Sequence, residues 1–413
     1  MQGAEAGSDA LEALSAARSA WSVLGSETRL GLEAVELWWI ELPFRRPVAT
    51  ATTTYTKREL LLVRVAANLG ADRLDGWGEC AALGNPEYVE EDVASCFVTL
   101  EEVLVPNLVE EVDRATGLLP APSRLGSVRA GAPRSSMAFA ALEMAVADAH
   151  LRAERCSLAS LLGVEGQKIE AGAVVGAFPT TAELVDAVRT SVEAGYRRVK
   201  VKIAPGWDVE PLEAITTAFP SLLLQVDANG SYSEQDADHL KALDGFELLC
   251  LEQPFAASKL EAHSRLAAQL TTPICLDESL DSPDDVAEAL AARACSVVEV
   301  KPGRLGGIGA ALEVVESCAA DNVPLWMGGM FESGFARGVN TTVAALPGFS
   351  WPGDLSPAGT YLAADVVAPT DLTAPSTLPD VAVPTGPGMG PPPDPAGLER
   401  SRLRRVVHPA CGR

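Results

Sequence analysis

Short apolar runs, each carrying a charged residue at or beside its end, recur along the middle of the chain. They cover residues 199–203, 222–227, 248–252, 273–277 and 297–301, and their charged residues are Lys202, Asp227, Glu252, Asp277 and Lys301, at gaps of 25, 25, 25 and 24. Runs this short, rich in β-branched and other aliphatic residues, predict strands. Each is followed by a turn holding Pro, Gly, Asn or Ser. After the turn comes a stretch such as 281–293, whose apolar residues return every three or four positions as on a helix face.

Strand, loop and helix repeating in this way is the rhythm of a parallel sheet with helices outside it. Upstream, 171–178 predicts a strand and 182–196 its helix; downstream, 324–330 and 349–355 predict two more strands. Eight strands close a TIM-type barrel, in which residues at the strand C-termini line the reaction site. All five charged residues fall at that end. Strand period is two, so Lys200 shares a face with Lys202.

Three carboxylates on adjacent strands, with no Cys or His among them, make a hard oxygen site suited to Mg²⁺, or Mn²⁺, rather than zinc. Asp227, Glu252 and Asp277 are therefore the expected metal ligands. Lys202 on the second strand and Lys301 on the sixth flank them, so a substrate carboxylate on the metal would lie between two amines. That arrangement suits removal of a proton next to a carboxylate, with the metal stabilising the enediolate. The cation and the like charge of Lys200 are expected to push the pKa of Lys202 down, as a base working near pH 7 requires. A second role for Lys200, as a substrate contact or a partner of a metal carboxylate, is equally open.

The segments that carry these residues are Arg198-Val-Lys-Val-Lys-Ile-Ala-Pro-Gly-Trp-Asp208, Gln225-Val-Asp-Ala-Asn229, Glu252-Gln-Pro-Phe255, Leu276-Asp-Glu-Ser279, Val300-Lys-Pro-Gly-Arg304 and Gly328-Gly-Met-Phe-Glu-Ser-Gly334. Together they resemble the enolase superfamily and, within it, the muconate-lactonizing subgroup with its Lys-x-Lys signature. The chain looks most like the family of o-succinylbenzoate synthases and N-acylamino acid racemases. The likeness runs from about residue 36 to 367 and includes Gly76-Trp-Gly-Glu-Cys80, Ala140-Ala-Leu-Glu-Met-Ala-Val-Ala-Asp148 and Pro352-Gly-Asp-Leu-Ser356.

The resemblance implies a (β/α)7β barrel with an N-terminal α+β capping domain, a small carboxylate substrate and assembly as a homo-oligomer. It implies that Lys202 abstracts the α proton. In the synthase, Lys301 would hold the developing anion as a fixed cation during a syn dehydration that leads to menaquinone; in the racemase it would return the proton from the opposite face. The resemblance also implies that Asn229 and Glu278 support the metal carboxylates and that Thr54, Tyr55, Gly328, Gly329 and Met330 contact substrate. Glu299 stands where relatives usually have a neutral amide and should share a face with Lys301, which favours the cation role and argues mildly against a two-base racemase. The eighth strand lacks the Asp-x-Asp pair of dipeptide epimerases, and His150, His239, His263 and His408 fall in predicted helices or the tail, which disfavours a histidine base.

The expected divisions are a 1–33 extension with a helix over 9–24, a 34–145 capping domain, a 146–358 barrel, a 359–372 return segment on the cap, and a disordered Pro/Gly-rich tail over 373–413 whose Arg400, Arg402, Arg404 and Arg405 form a solvated basic patch. The Thr-rich loop 49–57 is expected to act as a lid. A formal charge of −24 disfavours nucleic acid or an anionic membrane as partner. Eight cysteines without a Cys-x-x-Cys, several of them in apolar strands, read as buried thiols in a reducing compartment. No apolar run reaches transmembrane length and no signal peptide is evident, so a cytoplasmic enzyme is expected.

Overall fold

A computed structural model describes residues 2–49, 54–86, 88–114, 117–132, 134–368, 372 and 379–410, without the side chains of 2–7, 49, 113 and 114. Residues 50–53 of the Thr-rich loop lie outside the described residues. Seven parallel strands form one sheet in chain order: Ala173–Val175, Arg198–Lys202, Leu223–Asp227, Leu251–Glu252, Ile274–Leu276, Val297–Val300 and Leu325–Met327. Helices including Thr181–Glu193, Val209–Ala218, Leu260–Ala267, Pro283–Ala291 and Ile308–Ala320 separate them, burying Leu184, Leu212, Leu266, Val286 and Leu312.

The eighth expected strand is present only as single bridges. Phe349 pairs with Leu325 and Gly353 with Ala171, both in parallel, so the 349–354 segment spans from the seventh strand to the first. Pro352 has no N–H for a ladder. Gly353 lies so close to the seventh strand that a Cβ there would be 2.6 Å from the Met327 carbonyl oxygen.

The cap is a four-stranded antiparallel sheet in the order Arg402–Pro409, Gly31–Ala49, Thr54–Leu69, Asp72–Cys80. It packs on the buried helix Ser136–Ala153, which joins cap to barrel. The Gly-Trp-Gly motif has its reason here. A Cβ on Gly76 would sit 2.2 Å from Ala145 O and one on Gly78 1.9 Å from Ala141 O, so glycine and an alanine-rich helix are needed for the strand to approach. This helix runs across the division expected at 145/146, because its two faces serve both cores.

The tail expectation is corrected. Over residues 379–410 the chain is packed: Asp380–Ala382 pairs with Lys168–Glu170, helix Pro395–Ser401 follows, and Arg402–Pro409 becomes an edge strand of the cap. Met389 and Leu398 are buried. Arg404 and Arg405 are bound rather than merely solvated, at 3.0 Å from Glu101 and 3.0 Å from Glu36. Pairing with a distant strand outweighed the local Pro/Gly composition. The N-terminal helix, Gln2–Val23, lies on Ile308–Ala320, burying Leu14, Ala17 and Trp21. In the return segment, Ala363 N donates to Pro43 O at 2.8 Å and Arg45 N to Tyr361 O at 2.8 Å.

Candidate active site

Strand register sets the five charged residues side by side. Lys202 pairs with Asp227 and Asp227 with Glu252 across neighbouring strands, while Lys200 sits opposite Gln225. Asp277 follows the fifth strand and Lys301 the sixth. Two residues just past strand ends, Asn229 (φ 43°) and Gln253 (φ 38°), adopt the left-handed conformation, uncommon for side chains other than glycine. Gln253 then accepts from Asp277 N at 2.9 Å and ties the fourth loop to the fifth.

Glu252, Asp277 and Glu299 are buried, and their carboxylate oxygens lie within 4.8 Å of one another. Neither Glu299 oxygen accepts a well-aligned hydrogen bond, and its one close cation is Lys301 Nζ, 3.1 Å from Oε1 among the described residues. Burial first, then neighbouring carboxylates, push the pKa values of Glu252 and Glu299 well above the usual carboxylate range. Hard, buried, under-paired oxygen donors of this kind fit a divalent cation. A further carboxylate lies beside two of the expected ligands. Glu299 joins Glu252 and Asp277, while Asp227 is drawn to Lys202, its Oδ2 2.5 Å from Nζ.

Lys202 also donates to Asn229 Oδ1 at 2.8 Å, and Asn229 donates to Glu278 Oε1 at 2.9 Å. Burial and then Asp277 raise Glu278 to about 7. Lys200 lies 2.7 Å from Asp354, 3.1 Å from Glu252 and 3.6 Å from Asp227, with Nζ 4.8 Å from the Trp326 ring centroid. Burial alone would lower its pKa, but Asp354, Glu252, Glu299 and Asp227 outweigh that and raise it. Lys200 is thus paired with Glu252, a member of the carboxylate cluster, and with Asp354.

On the opposite flank, Lys301 Nζ lies 2.8 Å from Asp277 and 3.1 Å from Glu299, and donates to Tyr88 Oη at 2.9 Å. Its desolvation is overcome by Asp277 and Glu299, which hold it as an ammonium ion well above the ordinary lysine pKa. Gly328 makes this crowding feasible, since a Cβ there would be 2.0 Å from Glu299 Oε1 and 2.5 Å from Lys301 Cε.

A cavity of about 670 Å³ opens over these groups, lined by Lys200, Lys202, Asp227, Asp277 and Lys301 and, from the cap, by Tyr55, Leu83 and Tyr88. Gly329 and Met330 line it as well. Thr54 does not; it is exposed and lines a smaller neighbouring cavity. The four histidines fall in helices or, for His408, in the edge strand, and none lines the main cavity. Four contributors were missed by sequence reasoning: Tyr88, Arg304, Gln225 and Asp354. Arg304 lies 3.2 Å from Asp277 Oδ1, Gln225 donates to Glu252 at 2.7 Å, and Asp354 joins the Arg198 guanidinium to Lys200. The last three stand inside the motifs; Tyr88 has no such signal, being held by a cap loop far away in sequence.

Residues 35–163 match the family model described as mandelate racemase / muconate lactonizing enzyme, N-terminal domain, and residues 183–397 match enolase C-terminal domain-like. The chain is 40% identical over 379 residues to an N-succinylamino acid racemase of Amycolatopsis sp., covering 91% of this chain and 98% of that one. It is 38% identical over 381 residues to an o-succinylbenzoate synthase of Geobacillus stearothermophilus, covering 92% and 98%. A crystal structure of an enolase superfamily member from Listeria innocua superposes with a TM-score of 0.84 at 31% identity, covering 92% of this chain and all of that one. With two flanking lysines, a buried carboxylate cluster and both domains matched, the chain belongs to the enolase superfamily, in the subgroup that contains o-succinylbenzoate synthases, N-succinylamino acid racemases and muconate-lactonizing enzymes.

Proposed function

We propose that this protein is an o-succinylbenzoate synthase, catalysing the syn dehydration of 2-succinyl-6-hydroxy-2,4-cyclohexadiene-1-carboxylate through an enediolate, in the cytoplasm, for menaquinone biosynthesis. The observation that carries the reading is the asymmetry of the two lysines. Lys301 is clamped as a cation between Asp277 and Glu299, whereas Lys202 faces one carboxylate and one neutral amide. A clamped ammonium suits charge stabilisation better than proton abstraction.

Glu252, Asp277 and Glu299, with Asp227 beside them, would hold Mg²⁺ or Mn²⁺, which would supply a positive charge for the substrate carboxylate as its α proton leaves. Lys202, as the free amine, takes that proton. Lys301 holds the negative charge that develops on the carboxylate. In a syn elimination the hydroxyl departs from the face of the lost proton, so the Lys202 ammonium can return its proton to it and water leaves. Tyr55, Gly329 and Met330 form part of the wall against the rest of the substrate. A homo-oligomer is the assembly we expect.

The second reading, N-succinylamino acid racemisation by 1,1-proton transfer, is favoured by the placement of a lysine on each flank and by relatives of both kinds at similar identity. Metal-replete enzyme offered the cyclohexadiene carboxylate and, separately, N-succinylamino acids in ²H₂O separates the two. The synthase aromatises the first rapidly; racemisation with α-deuteration and no aromatisation would replace this assignment with the second.

A further inference from the structure

Tyr88 comes from the cap, yet its hydroxyl is at the centre of the polar contacts on the Lys301 side of the barrel. It donates toward the Asp277 carboxylate, at 2.7 Å from Oδ1 and 2.8 Å from Oδ2, and accepts from Lys301 Nζ and Arg304 Nη1, both at 2.9 Å. The ring lies against the same two cations, each 5.2 Å from its centroid. One phenol therefore touches a carboxylate of the cation cluster and the second lysine together, from a different domain.

The loop that carries Tyr88 is tied at its base and at Asn85. Val93 N donates to Leu83 O at 2.9 Å, a Leu83–Asp92 bridge closes the loop, and Tyr55 Oη donates to Asn85 Oδ1 at 3.0 Å. Lysine has four rotatable side-chain bonds and an ammonium with three donors, so it is placed only as well as its partners place it. Asp277 and Glu299 hold Lys301 from the barrel; Tyr88 is its third partner and the one from the cap.

We propose that Tyr88 is a positioning residue for Lys301, so that the barrel's second lysine is correctly placed only when the cap loop is docked. This rests on the reading of Lys301 as a reacting-site cation, and it adds the cap as a structural part of the chemistry rather than a cover over it.

The test is Tyr88→Phe, which keeps the ring against both cations and removes only the hydroxyl. Loss of the hydroxyl's hydrogen bonds to Lys301, Arg304 and Asp277, the first of them in the reacting geometry, should lower kcat about tenfold or more. KM for the carboxylate substrate and the Mn²⁺ dissociation constant, read by electron paramagnetic resonance, should stay within about twofold. Asn85→Ala, which loosens the loop without touching Lys301, should lower kcat in the same direction by less, and it keeps the test open should the first variant fold poorly. Unchanged kcat in both variants would overturn the proposal. So would a loss of Mn²⁺ affinity that matches the loss of kcat, because Tyr88 would then act on Asp277 alone. Wild-type turnover, measured in the same series, reports on the underlying functional reading separately. If the wild type racemises instead, the same comparison is made on α-deuteration of the two enantiomers, and Tyr88→Phe should slow only the one whose proton faces Lys301.

Discussion

The barrel rim and the cap meet at one cavity, but they contribute to it by different physical means. At the rim, register does the placing: Lys202, Asp227 and Glu252 are neighbours because their strands pair residue against residue. In the cap, position is reached through packing over long sequence distances, as when Tyr88 reaches Asp277 and Lys301, or when the last strand, Arg402–Pro409, closes on Gly31–Ala49. The difference teaches that a repeated fold announces its chemistry in its period, while an irregular domain announces only its elements.

The sharpest break in the comparison is at the rim. Lys202→Ala should lower kcat by about 10³-fold, the usual weight of a positioned general base, with a far smaller change in the denaturation midpoint. Loss of fold in step with loss of activity would show Lys202 to be structural.

In the cap and tail, the largest effects should instead be on stability. Leu398 is 1% exposed on the inner face of the tail helix, so Leu398→Ala should cost about 2–4 kcal/mol in denaturant titration. A disordered tail would show no change.

A pH effect should mark the seam between the two regions. Glu79 of the cap accepts from Ser333 N at 3.0 Å and from its hydroxyl, and burial raises it to about 7. A carboxyl whose folded pKa is raised binds more protons in the folded state between its unfolded value and about 7. Its contribution is therefore present at low pH and is lost as pH rises through that window, amounting to about 3 kcal/mol. Glu79→Gln should flatten this part of the stability–pH curve; an unchanged slope would mean that Glu79 is already ionised when folded.

Legibility followed the same division. The five rim residues and the seven regular strands were visible because strand and helix periods are local signals. Glu299 was read as a partner of Lys301, which it is, but its approach to Glu252 and Asp277 depends on side chains converging from three strands, and sequence spacing does not carry that. The eighth strand was read as regular, whereas Pro352 and Gly353 restrict it to bridges. The tail was read as disordered because Pro and Gly dominate 379–395, while what orders it is an edge on Gly31–Ala49 that local composition cannot register. Tyr88 lies in a turn-rich cap loop and gained its place only through the docking of two domains.

Everything proposed for the rim depends on cation-dependent proton abstraction. The most direct measurement follows aromatisation and α-proton exchange in ²H₂O after treatment with EDTA, then after return of Mg²⁺ or Mn²⁺, for the wild type and Lys202→Ala. The expected result is no turnover without the ion, recovery in the wild type on its return, and none in the variant. Turnover that persists after the ion is removed, or that survives the loss of Lys202, would contradict it.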